Sequence, residues 1–264
     1  MAKLKKEVKI SKAVPAAANE RKALLGTLPL DGAINRNKQM SVSRKIWFDI
    51  GRLAEPALQY MILGYGYGYV FWKVVGLPVK HMGVTGILSP RMKVMMGMST
   101  VAALRQAYWV TCVNRTDFHP AAIVGVNVVV SSVNSLLLLR NPTWELSYLD
   151  YLGIGLFALG SCLETVSDIQ RKNFIEDKKN AGRIQTNGLF SLARHINYGG
   201  FVLWRLGHAL ATGSAWALFA PLANLYDFLA RAIPAMDKRM VQKNKPQWEQ
   251  YKKSTPHKLI PYII

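Results

Sequence analysis

The sequence predicts an all-α protein, a polytopic membrane bundle of about six transmembrane helices with a cytosolic cofactor-binding face. Three observations lead to this prediction. Half of the 264 residues are hydrophobic and only 19% are charged. The apolar residues form runs long enough to cross about 30 Å of hydrocarbon at about 1.5 Å per residue. The formal net charge of +19 is concentrated in the polar segments between those runs.

Six apolar runs are predicted to span the membrane: 57–75, 94–113, 121–139, 148–163, 198–211 and 214–233. The third run contains no charged residue and offers no polar face to water, which disfavours the alternative of a soluble helical bundle. The two cysteines, Cys112 and Cys162, lie inside apolar runs and are expected to be buried. Their spacing fits neither a disulfide framework nor a metal site.

The distribution of basic residues predicts which segments face the cytosol. Residues 1–45 carry eleven Lys or Arg against three acids, and residues 234–264 carry seven against two. Lys and Arg excess beside membrane spans marks cytosolic loops and attracts anionic lipids, so a membrane surface is favoured over nucleic acid as the partner. Both termini are predicted to be cytosolic. The expected membrane is that of the endoplasmic reticulum, with a mitochondrial presequence left open as an alternative.

Three regions are predicted along the chain. Residues 1–45 form a basic, disordered cytosolic N-tail, and residues 46–147 contain the N-terminal transmembrane helices. Residues 148–264 form a C-terminal membrane domain with a cytosolic tail. The apolar end of that tail is expected to fold back beneath the bundle, because its aromatic and aliphatic residues favour burial.

Polar side chains cluster where the chain enters the fifth apolar run and in the C-terminal tail. The run R-H-I-N-Y occupies 194–198, and the tail carries Asp237 together with Trp248 and Tyr251 on one helix face. Arg and Lys can bind phosphates, and amide and phenol groups can bind a planar polar ring. Because the sequence contains no Gly-rich nucleotide motif, these residues predict an anionic nucleotide cofactor in a helical pocket, and no metal.

The order of these residues resembles the C-terminal region of the steroid 5-alpha-reductase-like and sterol Δ14/Δ7-reductase superfamily of membrane reductases. The matching elements between 164 and 264 are E-x-x-x-D-x-Q-R, G-L-F, R-H-x-N-Y-x-G, an Asp at the start of the tail, W-x-x-Y and I-P-Y. A more distant similarity links the same region to isoprenylcysteine carboxyl methyltransferases. The first 150 residues add only a compatible number of apolar runs.

The resemblance implies a membrane-embedded reductase that uses NADPH to reduce a carbon–carbon double bond of a steroid or other lipid-like substrate. Its partners would be the lipid bilayer and that small molecule. Arg171 is expected at a phosphate, Asn197 at the nicotinamide amide, and Asp237 with Tyr251 at the adenosine half. The full set of implied cofactor-binding residues is Asp168, Arg171, Lys172, Phe190, Arg194, His195, Asn197, Tyr198, Asp237, Trp248 and Tyr251.

The catalytic proton donor and the reaction itself remain open at this point. Tyr198 and Glu55 are the predicted catalytic residues, with the tyrosines of 65–69 as alternatives. Two departures from the reductase pattern are Phe201, where an acid is expected, and Ile175, where a basic residue is expected. They leave two other hypotheses: an S-adenosylmethionine-dependent isoprenylcysteine-carboxyl-methyltransferase-like enzyme, and a non-catalytic lipid-binding or scaffold protein.

Overall fold

The computed structural model describes residues 34–35, 38–79, 87–140 and 143–264. Most of the predicted N-tail therefore lies outside the described residues. The chain divides into two compact units. In the smaller unit, strand β1 (Ile34–Asn35) pairs antiparallel with strand β2 (Asp117–Phe118). The larger unit, 42–114 with 120–264, is helical in its described part.

The helices of the larger unit agree with an all-α class. The first five are α1 (Val42–Leu63), α2 (Tyr67–Val75), α3 (Pro90–Tyr108), α4 (Pro120–Arg140) and α5 (Tyr148–Glu176), and a π-helical turn (Trp109–Val113) extends α3. They are followed by α6 (Ile196–Leu210), α7 (Phe219–Asp227) and α8 (Ile233–Ser254), with a π-helical turn (Phe228–Ala232) between the last two. Short 3-10 turns lie at Lys178–Asn180, Gly188–Ser191 and Ala215–Leu218.

A buried ion pair fixes the start of α5 against α3. The carboxylate of Asp150 accepts the backbone N–H of Ser147 at 2.7 Å, which satisfies one of the free donors at the helix start. The same carboxylate accepts two hydrogen bonds from the Arg91 guanidinium, at 2.8 and 2.6 Å. These hydrogen bonds hold the first turn of α5 in place against α3.

Helices α5 and α6 form the most extensive helix pair of the larger unit, and glycines line their contact. A Cβ atom on Gly200 would lie 2.6 Å from the backbone nitrogen of Glu164 and 2.8 Å from the carbonyl oxygen of Gly160. A Cβ atom on Gly153 would lie 2.7 Å from the carbonyl oxygen of Gly207. Small residues at these positions let the two backbones approach closely, as is common between membrane helices.

In its middle part, helix α4 buries polar residues and exposes valines. Asn127, Ser131 and Asn134 are 4%, 7% and 4% exposed, whereas Val126 and Val129 are 61% and 60% exposed. A helix at a water-facing surface has the opposite arrangement. The polar face of α4 therefore lines the interior of the helical unit, and its valine face is suited to contact with lipid.

Among the described helices, α4 and α5 are long and apolar enough to cross a membrane. The prediction of about six spans is not confirmed. The run 57–75 is divided between α1 and α2, where Gly66 adopts a left-handed φ of 85°. The run 198–211 forms the 15-residue α6. The run 214–233 is divided into a 3-10 turn, α7 and a π-helical turn.

The expectation that both cysteines are buried is wrong. Cys112 and Cys162 are free thiols and both are exposed. An apolar run identifies a helix that avoids water, but it does not tell which face of that helix packs against its neighbours. The two thiols therefore lie on outward faces of the π-helical turn after α3 and of α5.

Candidate functional site

The C-terminal tail folds back onto the chain just before α6, as predicted. Burial of its apolar end is only partly observed, because Leu259 is buried whereas Tyr262 and Ile263 are 89% and 77% exposed. The backbone N–H groups of Arg194 and His195 donate to the carbonyl oxygens of His257 and Lys258, at 3.0 and 2.7 Å. Nη1 of Arg194 donates to the carbonyl oxygen of Thr255 at 2.5 Å and also to that of Pro256 at 3.0 Å. The buried guanidinium of Arg194 thus holds the tail in place.

Aromatic residues of α8 pack against the loop that precedes α6. The hydroxyl group of Tyr251 donates to the carbonyl oxygen of Phe190, and burial raises the pKa of Tyr251 above its ordinary value, so the phenol remains a donor. The rings of Trp248 and Tyr251 meet edge to face at 5.5 Å. The guanidinium of Arg171 lies 4.8 Å from the centre of the Phe190 ring, an attractive cation–π distance.

His195 lies at the centre of this region, buried between aromatic and acidic groups. Its ring is stacked 5.7 Å from the ring of Tyr198 and lies 6.2 Å from that of Trp248. Its Nε2 atom is 3.4 Å from Oδ1 of Asp237. Burial lowers the pKa of His195, and the neighbouring carboxylate only partly opposes this effect. The imidazole is therefore neutral at physiological pH and can act as a donor or an acceptor.

Several buried polar atoms in this region have no hydrogen-bond partner within the described structure, among them Nε2 of His195 and Oδ1 of Asp237. The Nδ2 atom of Asn197 donates to Oδ1 of Asp168 at 3.2 Å, but its carbonyl oxygen, Oδ1, is unpartnered. The indole Nε1 of Trp248 is unpartnered as well. Buried polar atoms in folded proteins are nearly always satisfied, so an acceptor and a donor left free at one place indicate a ligand or ordered water.

Most of the predicted cofactor-binding residues are thus linked by contacts in one group. We refer to this group as the C-terminal cluster: Asp168, Arg171, Phe190, His195, Asn197, Tyr198, Asp237, Trp248 and Tyr251. Two of the predicted cofactor-binding residues lie outside this cluster. Lys172 is half-exposed and pairs with Glu176 at 3.9 Å, and Arg194 has its Nη1 committed to the tail.

The two predicted catalytic residues lie in different surroundings. The ring of Tyr198 is stacked between those of His195 and Phe228, at 5.7 and 4.6 Å. Glu55 is 2% exposed, forms an ion pair with Arg52 and accepts a hydrogen bond from the hydroxyl of Ser131. The contacts of Glu55 and of Tyr198 involve no common residue within the described structure, so the two do not form one catalytic pair.

Glu55 belongs to a narrow polar cleft between the helices that is partly open to the surroundings. We use the name polar cleft for this site, whose polar lining includes Arg52, Glu55, Ser99, Asn127, Ser131, Asn134, Arg205 and His208. Nη2 of Arg205 donates to Oδ1 of Asn127 at 2.6 Å. The His208 ring is held by Ser99 and Asn134, at 2.8 and 3.2 Å.

Sequence reasoning missed every residue of the polar cleft except Glu55. A signal was present, because Arg205 and His208 stand inside the apolar run 198–211, and Asn127 and Asn134 are seven residues apart in the run 121–139. Polar and ionisable residues inside an apolar span face the interior of a bundle and are commonly functional. Seven residues make about two helical turns, so the two asparagines had to share one face.

A family comparison agrees with this architecture and with the residue pattern of the C-terminal region. Residues 93–255 match the family described as protein of unknown function (DUF1295). The chain belongs to that family, which is part of the steroid 5-alpha-reductase-like superfamily. The superfamily predicted from the residue pattern is therefore confirmed.

Two proteins named as O-methyltransferases are similar to the chain. The chain is 32% identical over 211 residues to the Probable O-methyltransferase ustE of Ustilaginoidea virens, which covers 70% of this chain and 74% of that protein. It is 24% identical over 127 residues to the Protein-S-isoprenylcysteine O-methyltransferase of Schizosaccharomyces pombe. That second match covers 45% of this chain and 54% of the relative, or about half the length of each.

Proposed function

We propose that the protein is a membrane methyltransferase that uses S-adenosylmethionine to methylate an oxygen of a lipid-like acceptor. The observation that carries the proposal is the side chain of Asn197, whose buried carbonyl oxygen is unpartnered beside the carboxylate of Asp168. An unpartnered acceptor next to an acid favours a ligand that presents N–H groups and positive charge. The names of the two related O-methyltransferases agree with this class of ligand.

The charges of the C-terminal cluster favour a cationic cofactor over a dinucleotide. Asp168 and Asp237 face a single cluster cation, Arg171, whose guanidinium lies over the ring of Phe190. Two other cations predicted to bind the cofactor are engaged elsewhere, Arg194 with the tail and Lys172 with Glu176. NADPH carries several negative charges, whereas S-adenosylmethionine carries a sulfonium, an ammonium and one carboxylate. The balance of nearby charges therefore suits S-adenosylmethionine better.

The residues present fit such a cofactor in their hydrogen-bonding character. Asn197 Oδ1 and the carboxylate of Asp168 would hold an amino group, and Trp248 Nε1 would donate to an acceptor atom. The aromatic rings of Tyr198 and Trp248 would cover a planar base. When bound, S-adenosylmethionine supplies an electrophilic methyl group. The returned tail, held by Arg194, would keep water away from this region.

NADPH-dependent reduction of a carbon–carbon double bond is the second candidate function. Membership in the steroid 5-alpha-reductase-like superfamily favours it, as does the guanidinium of Arg171, which is free to meet a phosphate. Phe201 weighs against it, because an aromatic ring stands where the reductase pattern has an acid. That ring packs edge to face on Trp204 and Phe228, at 5.3 and 5.5 Å.

Ligand-induced thermal stabilisation of the full chain in neutral detergent tests the proposal. A ligand that binds only the folded state adds about 2.7 kcal/mol of stability at a concentration 100 times its Kd. We expect S-adenosylmethionine and its demethylated product S-adenosylhomocysteine to raise the melting temperature, and NADPH to leave it unchanged. Stabilisation by NADPH alone would favour the reductase instead. No response to either ligand would favour a non-catalytic lipid-binding protein.

A further inference from the structure

The polar cleft contains a buried cation that no acid contacts. Arg205 is 7% exposed, and its hydrogen-bond partner is the neutral amide of Asn127. The rings of Trp204 and Phe201 flank its guanidinium at 4.7 and 5.0 Å. Its Nε atom is buried without a partner within the described structure. Isolated buried charges are costly and are normally neutralised by a counter-ion or a ligand.

Neighbouring acids supply that counter-ion only in part, because Glu164 attracts Arg205 at longer range but forms its ion pair with another arginine. Arg52 is paired with Glu55 inside the polar cleft. Arg105, beside the cleft, is paired with Glu164 at 2.6 Å, and the same carboxylate accepts the indole N–H of Trp204. The imidazole of His208 contacts only neutral groups. Two glutamates are thus already matched to two arginines, and the charge of Arg205 is left in excess.

The lining and position of the polar cleft indicate the charge and character of a complementary anion. Besides its polar residues, the cleft is lined by small apolar residues, among them Ala102, Val130 and Ala220. It lies behind α4, whose outer face exposes valines suited to lipid. One excess positive charge in a confined site matches one carboxylate, and the surrounding apolar surface matches an aliphatic chain. A phosphate monoester would bring more negative charge than the site can neutralise.

We propose that the polar cleft binds the carboxylate group of a long-chain amphiphile, with Arg205 as its principal ligand. Ser99 and Asn134, which hold His208, are neutral polar residues of the same cleft lining. Carboxylates accept hydrogen bonds from a guanidinium in the geometry that arginine offers best. The binding itself uses no residue of the C-terminal cluster. Only the identification of this amphiphile as the methyl acceptor rests on the proposed function.

Competition between an acid and its neutral ester tests this site without any cofactor. Binding of oleate and of methyl oleate to the full chain is compared in a neutral detergent, by displacement of a fluorescent fatty-acid probe. The wild-type protein is expected to prefer oleate at least about tenfold, an effect of one charge-assisted interaction. In Arg205→Gln this preference is expected to disappear while methyl oleate binding stays the same, which shows that the cleft is intact.

Control variants separate the site from general electrostatic attraction. Arg140→Gln removes a cation from the end of α4, outside the cleft, and is expected to keep the preference for oleate. An unchanged preference in Arg205→Gln, or no preference in the wild-type protein, would overturn the proposal. A stronger preference for an alkyl phosphate than for oleate would overturn the carboxylate assignment. Failure of S-adenosylmethionine to bind would leave these results unaffected and would count only against the proposed function.

Discussion

The side-chain amide of Asn197 donates to the carboxylate of Asp168 at 3.2 Å, while its own carbonyl oxygen is buried without a partner in the described structure. Only one half of the amide therefore joins α6 to α5. The structural and ligand-binding contributions of the C-terminal cluster should therefore be separable by substitution. A substitution of Asp237 is a suitable comparison with one of Asn197. The side chain of Asp237 is 32% exposed, and its Oδ1 lies 3.4 Å from Nε2 of His195.

Asn197→Ala removes both halves of that amide. We expect it to abolish stabilisation by S-adenosylmethionine and to lower the free energy of unfolding by about 1–3 kcal/mol, because the buried Asp168 loses one of its hydrogen-bond donors. Chemical denaturation with and without S-adenosylmethionine measures both effects. Asp237→Asn is the matched comparison and should weaken ligand stabilisation while changing the unfolding free energy by less than about 0.5 kcal/mol. Wild-type ligand responses in both variants would exclude the cluster as the cofactor site.

Arg194→Gln tests the anchoring of the C-terminal tail. The substitution removes charge-assisted hydrogen bonds to the carbonyl oxygens of Thr255 and Pro256 and should cost about 1.5–3 kcal/mol. Amide hydrogen exchange should accelerate at His195, whose N–H donates to Lys258. Arg231→Gln, which breaks an i,i+4 pair with Asp227, is the control and should leave that exchange unchanged. Equal exchange at His195 in the wild-type protein and Arg194→Gln would contradict the anchoring role.

The depressed pKa of His195 predicts a pH dependence of stability. Between its folded-state pKa and the ordinary value of about 6.5, the unfolded chain binds more protons than the folded protein. The contribution of His195 to stability is therefore present above pH 6.5 and is lost as the pH falls below it. Thermal unfolding from pH 8 to pH 5 should show a shallower decline in His195→Gln than in the wild-type protein. Parallel curves for the two proteins would refute this assignment.

Gly160 and Gly155 lie on the same helix, α5, and provide a paired test of its contact with α6. A Cβ atom on Gly160 would collide with the backbone of α6, whereas one on Gly155 would meet nothing within 4 Å. Gly160→Ala should lower the free energy of unfolding by about 1–3 kcal/mol, the usual cost of overpacking. Gly155→Ala should raise the free energy of unfolding by about 0.5–1 kcal/mol, because alanine loses less backbone entropy than glycine when a helix forms. Similar effects at both positions would contradict the close packing of these helices.

The sequence predicted the elements whose signals are local. The uncharged run 121–139 became α4, and the paired aromatics Trp248 and Tyr251 became the buried face of α8. The resemblance of the C-terminal pattern led to the superfamily. Each of these signals lies in a short stretch of chain and does not depend on how the helices pack.

The features that the sequence left open depend on three-dimensional packing. Gly66 divides a run that reads as one span, because a glycine can adopt a left-handed φ that hydrophobicity does not reveal. The role of Arg194 required the distant carbonyl oxygen of Thr255, and the charge balance of Arg205 required the pairing of Arg52 with Glu55. No spacing within one segment encodes such partners.

Isothermal titration of the detergent-purified full chain with S-adenosylmethionine, and separately with NADPH, tests the central claim most directly. We expect S-adenosylmethionine to bind at one site per chain, with its affinity sharply reduced in Asp237→Asn, and NADPH to give no binding heat. Saturable binding of NADPH in the absence of any S-adenosylmethionine binding would contradict the account.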